Sequence, residues 1–217
     1  MSLRFEQIQV GGFDKNFSYI IYCDDTHEAF VVDPAGEFEL VVRKISTLRL
    51  EVVGILLTHT HADHIDALQS AIEEFQSPVF VHNAGACAVS VDAAQLITGG
   101  IEIELGNQVI TVLHTPGHSE DSVCFSFTAV DNQPVLISGD TLFIDGCGRT
   151  NDHMITDLYD SIQSLKQLPS ETVVLPGHNY GPVPSDTLAH QLRSNRFLLP
   201  VTFAGFCAER LGYTVDT

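Results

Sequence analysis

Short apolar runs separated by polar turns dominate the first third of the chain. Alternating or continuous apolar residues predict strands, whereas apolar residues three and four positions apart predict helices. By these criteria we expect strands over residues 3–10, 17–22, 29–32, 52–57 and 79–81. We expect helices over residues 38–48 and 65–75, the second ending before Pro78. The strand over 52–57 is apolar on both faces, so it should be fully buried.

The second half repeats this alternation of strands and helices. Its pattern predicts strands over residues 109–113, 122–127, 135–137 and 172–175, with helices over 155–168 and 185–193. Pro169 stops the first of these helices. Strands followed by strand–helix alternation indicate sheets covered by helices, an α/β class. Periodicity alone leaves open a doubly wound sheet or a sandwich flanked by helices. A chain of 217 residues is expected to form one domain over residues 1–217.

Charge and composition narrow the classes of partner. The formal net charge of −18 opposes binding to nucleic acid and to anionic membranes. No stretch approaches the ~20 apolar residues of a spanning helix, and residues 1–6 lack an apolar signal core. We therefore expect a cytoplasmic protein. Its five cysteines show no CxxC spacing, which argues against a disulfide framework.

The densest chemistry follows the predicted buried strand. Residues 58–64 read THTHADH, which places His59, His61, Asp63 and His64 within six positions. Two histidines at i and i+2 in a loop can converge on one ion, and the next pair stands at a predicted helix entrance. A metal site needs several ligands of this kind from rigid elements. The segment therefore predicts a metal centre.

Three further candidates follow glycines at strand ends. His118 lies in TPGHS between two predicted strands, Asp140 follows the strand over 135–137, and His178 follows the strand over 172–175. Functional sites of α/β folds collect at the carboxyl ends of strands. Together with the histidine cluster, these residues form one pattern.

That pattern resembles the metallo-β-lactamase superfamily. HxHxDH followed by a distant His, an Asp and a His matches in order and spacing from Phe17 to about Phe197. The resemblance implies a four-layer αβ/βα sandwich with metals at one edge. It also implies two metal positions: one held by His59, His61 and His118, the other by Asp63, His64 and His178, with Asp140 bridging.

The resemblance implies a hydrolase, with Asp63 and Asp140 among its catalytic residues. Two divalent ions ~3.5–4 Å apart share a water, lower its pKa, and provide a metal-bound hydroxide for attack on a carbonyl or phosphoryl centre. The formal charges of two such ions, two aspartates and one hydroxide sum to about +1. A site of this charge would let an acidic chain accept an anionic substrate. All seven ligands are nitrogen or oxygen donors. Such donors suit zinc, iron and manganese alike, and of these we expect two zinc ions.

Within the superfamily, two segments resemble glyoxalase II, the hydroxyacylglutathione hydrolases. The first is SGDTLF, at residues 138–143, running into GCGRT at 146–150, and the second is PGHNY at 176–180. In that family a basic residue after the GCG turn and a tyrosine after the last histidine contact glutathione. Arg149 and Tyr180 occupy those positions. The resemblance implies a thioester hydrolase acting on a small molecule such as a glutathione conjugate. The resemblance is to a short form of the family, which lacks the C-terminal helical extension of long glyoxalase II enzymes.

Two other function classes stay open. GCGRT also resembles the persulfide dioxygenases, oxidoreductases in which two histidines and an aspartate hold a single iron. His59, His118 and Asp140 match that set. A binding or regulatory domain with a vestigial site is the third class, and the intact ligand set speaks against it.

Overall fold

The computed structural model describes residues 2–12, 14–89, 94–200 and 202–213. Its first sheet has six strands in the order β1-β2-β3-β4-β5-β6. The first three strands are antiparallel, whereas β3, β4, β5 and β6 run parallel. These strands are β1 (Leu3–Gly11), β2 (Asn16–Cys23), β3 (Glu28–Val32), β4 (Glu51–Leu56), β5 (Val79–His82) and β6 (Ala94–Ile97).

A second six-stranded sheet faces the first, in the order β14-β13-β10-β9-β8-β7, and a two-stranded ribbon joins β11 and β12. Only β10 and β13 pair in parallel in this sheet. The strands are β7 (Glu102–Leu105), β8 (Gln108–His114), β9 (Val123–Thr128), β10 (Pro134–Gly139), β11 (Leu142–Phe143), β12 (Gly146–Cys147), β13 (Val173–Pro176) and β14 (Asp186–Thr187).

The described ranges contain six α-helices, which lie around the two sheets. They are α1 (Glu39–Leu48), α2 (Ala62–Ile65), α3 (Leu68–Phe75), α4 (Ile155–Leu165), α5 (Leu188–Ser194) and α6 (Phe203–Leu211). The expected helix over 65–75 is wrong at its start, because a helix break at residues 66 and 67 separates α2 from α3. At this break the Asp66 carboxylate accepts a hydrogen bond from the Gly36 amide, and the Ala67 amide donates to the Pro34 carbonyl.

Three apolar clusters define the layers. One lies between the sheets and includes Tyr19, Leu56 and Phe125. A second packs α1 and α3 against the outer face of the first sheet. The third packs α4, α5 and α6 against the outer face of the second sheet. This helix–sheet–sheet–helix arrangement confirms the expected αβ/βα sandwich and excludes the doubly wound alternative.

Several elements differ from the pattern-based predictions. The expected helix over 185–193 begins later, because Asp186 and Thr187 pair with β13 and the Thr187 hydroxyl caps the amide of His190. The patterns did not predict β6, β7, the β11–β12 ribbon or α6, which are mostly short. The single-domain division stays a prediction. The longest described helix has 11 residues, and no helix in the described ranges could span a membrane.

Candidate metal centre

All seven predicted ligands meet at the edge where β4, β10 and β13 end. The loop after β4 carries two histidines, and α2 carries an aspartate and a third histidine. The second sheet supplies one ligand from the β8–β9 loop and one each after β10 and β13. The first sheet thus contributes His59, His61, Asp63 and His64. The second sheet contributes His118, Asp140 and His178.

The first group of ligand atoms comes from His59, His61 and His118. Nδ1 of His61 lies 3.1 Å from Nε2 of His59 and 2.9 Å from Nε2 of His118. Two nitrogens each ~2.0–2.1 Å from a tetrahedral zinc would be roughly 3.3 Å apart. These three ring nitrogens are therefore spaced as ligands of a single ion.

The second group comes from Asp63, His64 and His178. Nε2 of His178 lies 3.2 Å from Nε2 of His64 and 3.4 Å from Oδ2 of Asp63. Asn16 fixes the aspartate, because its side-chain amide donates to Asp63 Oδ2 over 3.1 Å. The spacing again fits the coordination of one small cation.

Asp140 stands between the groups. Its Oδ2 lies 3.2 Å from Nε2 of His178 and 3.4 Å from Nε2 of His118, and its Oδ1 lies 3.3 Å from Nε2 of His64. Oδ1 is buried without a hydrogen-bond partner in the described part of the chain. A buried carboxylate oxygen is costly to leave unsatisfied, and a cation bound between the two groups would satisfy it.

Glycines allow this close approach. Gly177 precedes His178, and a Cβ at this position would lie 2.4 Å from Asp140 Oδ1. Gly139 precedes Asp140 with φ at +49°, a left-handed conformation that a glycine adopts without strain. The strand ends therefore need glycine in order to bring the ligands together.

Hydrogen bonds on the outer side of the imidazoles set their tautomers. Nδ1 of His118 lies 3.0 Å from the Arg149 carbonyl oxygen, and Nδ1 of His178 lies 2.9 Å from the Asp14 carbonyl oxygen. A carbonyl only accepts, so each Nδ1 is protonated and donates. In the neutral rings each Nε2 then presents a lone pair to the centre, which suits metal binding.

Asp33 organises two more imidazoles, that of His64 directly and that of His59 through Thr58. Its Oδ2 accepts from Nδ1 of His64 at 2.9 Å and from the Thr58 hydroxyl at 2.6 Å. Because that hydroxyl donates to Asp33, it accepts from Nδ1 of His59 at 3.1 Å. Asp33 is buried and holds φ at +49°, an unusual conformation for a residue other than glycine. Backbone strain of this kind is found mainly at functional sites.

The charges of the site depend on burial and on Asp140. Burial lowers the pKa of His59 well below its usual value, and the neighbouring His64 adds to this effect. For His64, burial is outweighed by Asp140 and Asp33, which raise its pKa. For Asp140, burial is outweighed by the surrounding imidazoles, which lower its pKa well below the usual range. Asp140 is therefore anionic, as a metal ligand must be.

The donor set fits divalent cations. Imidazole nitrogens and carboxylate oxygens suit zinc, iron and manganese, and no thiol belongs to any of the candidate ligand groups in the described residues. The unsatisfied Asp140 oxygen and the converging imidazole lone pairs are both explained by bound cations.

A cleft of about 600 Å³ opens above these ligands. Both predicted substrate contacts line it. Arg149 is exposed, and its carbonyl orients His118. The Tyr180 ring stacks on His178 with centroids 4.7 Å apart, while its hydroxyl donates to the Asp14 carboxylate. The structure thus places both residues beside the ligand groups.

Sequence reasoning missed several residues around the ligands. Asp33 directly follows the strand expected over 29–32, and its carboxylate lies at the same sheet edge as the candidate ligands after β4. Asn16 follows a turn at the start of β2, and no motif or periodic pattern in the sequence marks it as a functional residue. Arg196 and Arg210 line the cleft, and they lie far along the chain from the motifs.

Comparison with known proteins identifies the family of this chain. Residues 11–178 match the family model of the metallo-beta-lactamase superfamily. The chain belongs to this superfamily. Among curated members it is 32% identical over 174 residues to a probable hydroxyacylglutathione hydrolase of Schizosaccharomyces pombe, covering 78% of this chain and 66% of that protein. It is 33% identical over 194 residues to the hydroxyacylglutathione hydrolase of Yersinia enterocolitica, covering 89% and 70%. The match thus spans about two thirds of these relatives' length.

Other proteins similar to this chain carry different names. A probable polyketide biosynthesis zinc-dependent hydrolase of Bacillus velezensis is 30% identical, covering 83% of this chain and 80% of that protein. Among solved structures, ETHE1 from Myxococcus xanthus superposes with a TM-score of 0.81 at 29% identity, over 96% of this chain and 91% of that one. A 27% identical protein in a di-iron-bound form superposes with a TM-score of 0.71, over 89% and 100%.

Proposed function

We propose that this protein is a binuclear metal-dependent hydrolase of the glyoxalase II type, which cleaves a thioester carried on an anionic thiol such as glutathione. The observation that carries the proposal is the pair of ligand groups joined by Asp140 beneath an arginine-lined cleft. The hydroxyacylglutathione hydrolases among its relatives support the substrate class.

Each part of the site has a task in this reaction. His59, His61 and His118 would hold one ion, Asp63, His64 and His178 the other, and Asp140 would contact both. The bound ions would supply Lewis-acid polarisation of the acyl carbonyl and a water of lowered pKa. Zinc is the preferred metal, supported by the zinc-dependent relative, and iron and manganese stay open.

The chain's own groups bind and orient. Hydrolysis adds water to the acyl carbon and breaks the C–S bond, so the products are a carboxylic acid and a thiol. Asp63 stays ionised, because the Asn16 amide and the histidines outweigh its burial and lower its pKa. Phe143 packs edge-on against His178 and Tyr180, which gives the cleft a rigid apolar wall beside the scissile bond.

Arg149 offers the sharpest test of substrate recognition. A guanidinium that binds the carrier contributes ~1.5–3 kcal/mol per charge-assisted hydrogen bond, so Arg149→Ala should raise KM for a glutathione thioester by roughly tenfold to a hundredfold. The turnover number kcat should fall much less, since the carbonyl that orients His118 belongs to the backbone and persists. A short, carrier-free thioester is the internal control. Equal losses with both substrates would make Arg149 structural.

The persulfide dioxygenase alternative has its own test. A single iron held by His59, His118 and Asp140 would leave Asp63 and His178 without an ion to bind. Elemental analysis, thioester hydrolysis and oxygen consumption with glutathione persulfide should be measured on one preparation. We expect two ions per chain and hydrolysis. One iron per chain with oxygen consumption, and no hydrolysis, would establish the alternative.

A further inference from the structure

The two sheets leave a groove open between their end strands. β6 is the last strand of the first sheet and β7 is the last strand of the second, and each pairs with one neighbour only. The segment 98–101 connects them, and a groove of about 620 Å³ lies beside it. None of the residues that line this groove is a candidate metal ligand. The groove is therefore separate from the cleft above the metal centre.

The apolar wall of the groove is the margin of the core between the sheets. The rings of Phe30 and Phe80 meet edge to face with centroids 5.6 Å apart. Gly54 makes room for them, since a Cβ there would lie 2.5 Å from the Phe30 ring. Phe80 and Val53 are only partly buried, and Leu96 on β6 is 60% exposed. Contiguous exposed apolar surface with polar residues around it marks sites of interaction.

β7 offers an unpaired backbone edge with alternating side chains. It pairs with β8 on one side, and no backbone group of the described ranges bonds its other side. Ile103 and Leu105 are buried, whereas Glu102 and Glu104 are exposed. A segment added along this edge would continue the sheet. Because side chains of neighbouring strands lie beside one another on each face, the segment needs apolar residues on the buried face, alternating with residues that suit the glutamates.

The charge of the groove decides which residues suit it. Glu28, Glu102 and Glu104 line it, and no Lys or Arg does. Neither Glu102 nor Glu104 has an ion-pair or hydrogen-bond partner among the described residues. A second copy of this chain, with its net charge of −18, would be repelled from such an edge. Basic side chains would complement the carboxylates.

We propose that the groove binds an extended segment of a partner protein in which apolar residues alternate with lysine or arginine, and that this segment adds a strand to the free edge of β7. The four residues of β7 span about 13 Å at ~3.4 Å per residue, so a segment of roughly five to seven residues covers the edge. Its backbone hydrogen bonds to β7 give affinity, and the alternation of its side chains gives specificity.

Synthetic peptides test this pairing. The probe is the end-blocked heptapeptide KVKIKVK. One control peptide carries N-methyl groups on two consecutive central amides, which removes a donor from each of its edges, and another has the sequence EVEIEVE. In the protein, Glu102→Gln combined with Glu104→Gln removes both charges from β7. Glu73→Gln combined with Glu74→Gln, exposed on α3 and outside the groove, changes the net charge equally and is the matched control variant.

Binding is measured by titration calorimetry, and the site is located by the NMR shifts of backbone amides. The β7 double variant should bind KVKIKVK roughly tenfold more weakly than the wild type, because two exposed ion pairs are lost. The α3 double variant should bind as the wild type does. Neither control peptide should bind measurably. Amide signals of residues 102–105 should shift on binding, and their hydrogen exchange should slow as the edge becomes paired.

Three outcomes would overturn the proposal. Equal weakening in both double variants would mean that the peptide responds to net charge alone. Undiminished binding of the N-methylated peptide would exclude strand addition. A wild-type dimer in light scattering that is lost in Leu96→Ser would assign the groove to a second copy of the chain. Hydrolysis of a glutathione thioester should keep its kcat and KM in every variant, so the test stands apart from the proposed function.

Discussion

Asp33→Asn tests whether the hydrogen bonds behind the imidazoles control metal binding. In the wild type one carboxylate accepts from the Thr58 amide at 2.7 Å, from the Thr58 hydroxyl and from Nδ1 of His64. The substitution replaces one acceptor oxygen by an NH₂ donor of nearly the same size. His64 can then avoid a clash of donors only by moving its proton to Nε2, the nitrogen that faces Asp140 and His178.

The expected effect has two parts. Loss of an outer partner of a metal-binding histidine typically lowers metal affinity by ~10–100-fold, or ~1.4–2.7 kcal/mol. Because hydrogen bonds to a charged acceptor contribute ~1.5–3 kcal/mol each and two are compromised, the free energy of unfolding should fall by about 3 kcal/mol. This value lies at the low end of the sum for two hydrogen bonds, because rotation of the Thr58 hydroxyl to another acceptor should restore part of the lost stability.

Two assays measure these effects. Zinc affinity is obtained by competition with a chromophoric chelator, and the free energy of unfolding of the metal-free protein by urea denaturation. Asp24→Asn is the matched control, because Asp24 is an exposed partner of Arg4, where such pairs contribute less than ~1 kcal/mol. Wild-type zinc affinity in Asp33→Asn would refute the claim that Asp33 fixes the tautomer of His64.

Three further predictions follow from the site. Chelation should remove about two ions per chain, abolish turnover and lower Tm, because metal binding is linked to the folded state; a fully active protein with one ion would contradict the binuclear proposal. Asp140→Asn should lose at least one ion and reduce kcat by more than the ~10–100-fold of an outer partner, so near-normal activity would show that another aspartate bridges. Burial raises the pKa of Cys147 to about 12 and that of Cys124 to about 11, so in the native protein both should resist alkylation at pH 8 while the exposed Cys87 reacts. Because unfolded thiols ionise near pH 9, burial of these two thiols stabilises the fold fully below pH 9, and this contribution is lost as pH rises from 9 to 12.

The convergence of the candidate ligand residues was predictable because much of their spacing is local. His59 to His64 form a compact motif, and each remaining candidate follows a glycine at a strand end. Two of the strands that position them were also visible, since β4 and β10 are mostly apolar. For these elements the short-range pattern and the tertiary environment demand the same residues.

The groups that orient the ligands were not predictable in the same way. Asp33 orients His64 from 31 positions away in the chain, and the Asp14 carbonyl orients His178 from 164 positions away. No local sequence pattern encodes contacts over such separations. The position of Arg210 in the cleft depends on how α6 packs on α4, where Tyr159 contacts Phe203. That packing is set by shape, which periodicity does not contain.

The division of the ligands between the two sheets has a consequence for folding. His61 and His118 meet across 57 positions, and His64 and His178 across 114. Each ion would therefore close a very long chain loop, as a disulfide does. For a cross-link over ~100 residues, chain-entropy models give about 4.7 kcal/mol.

Neither loop can close until both sheets have formed and docked. During synthesis, the second ligand group stays incomplete until residue 178 has emerged, so high-affinity metal capture is a late event. Conversely, an ion held by residues of both sheets would link the two halves of the sandwich and oppose their separation. Metal binding should therefore slow the rate at which the two halves come apart.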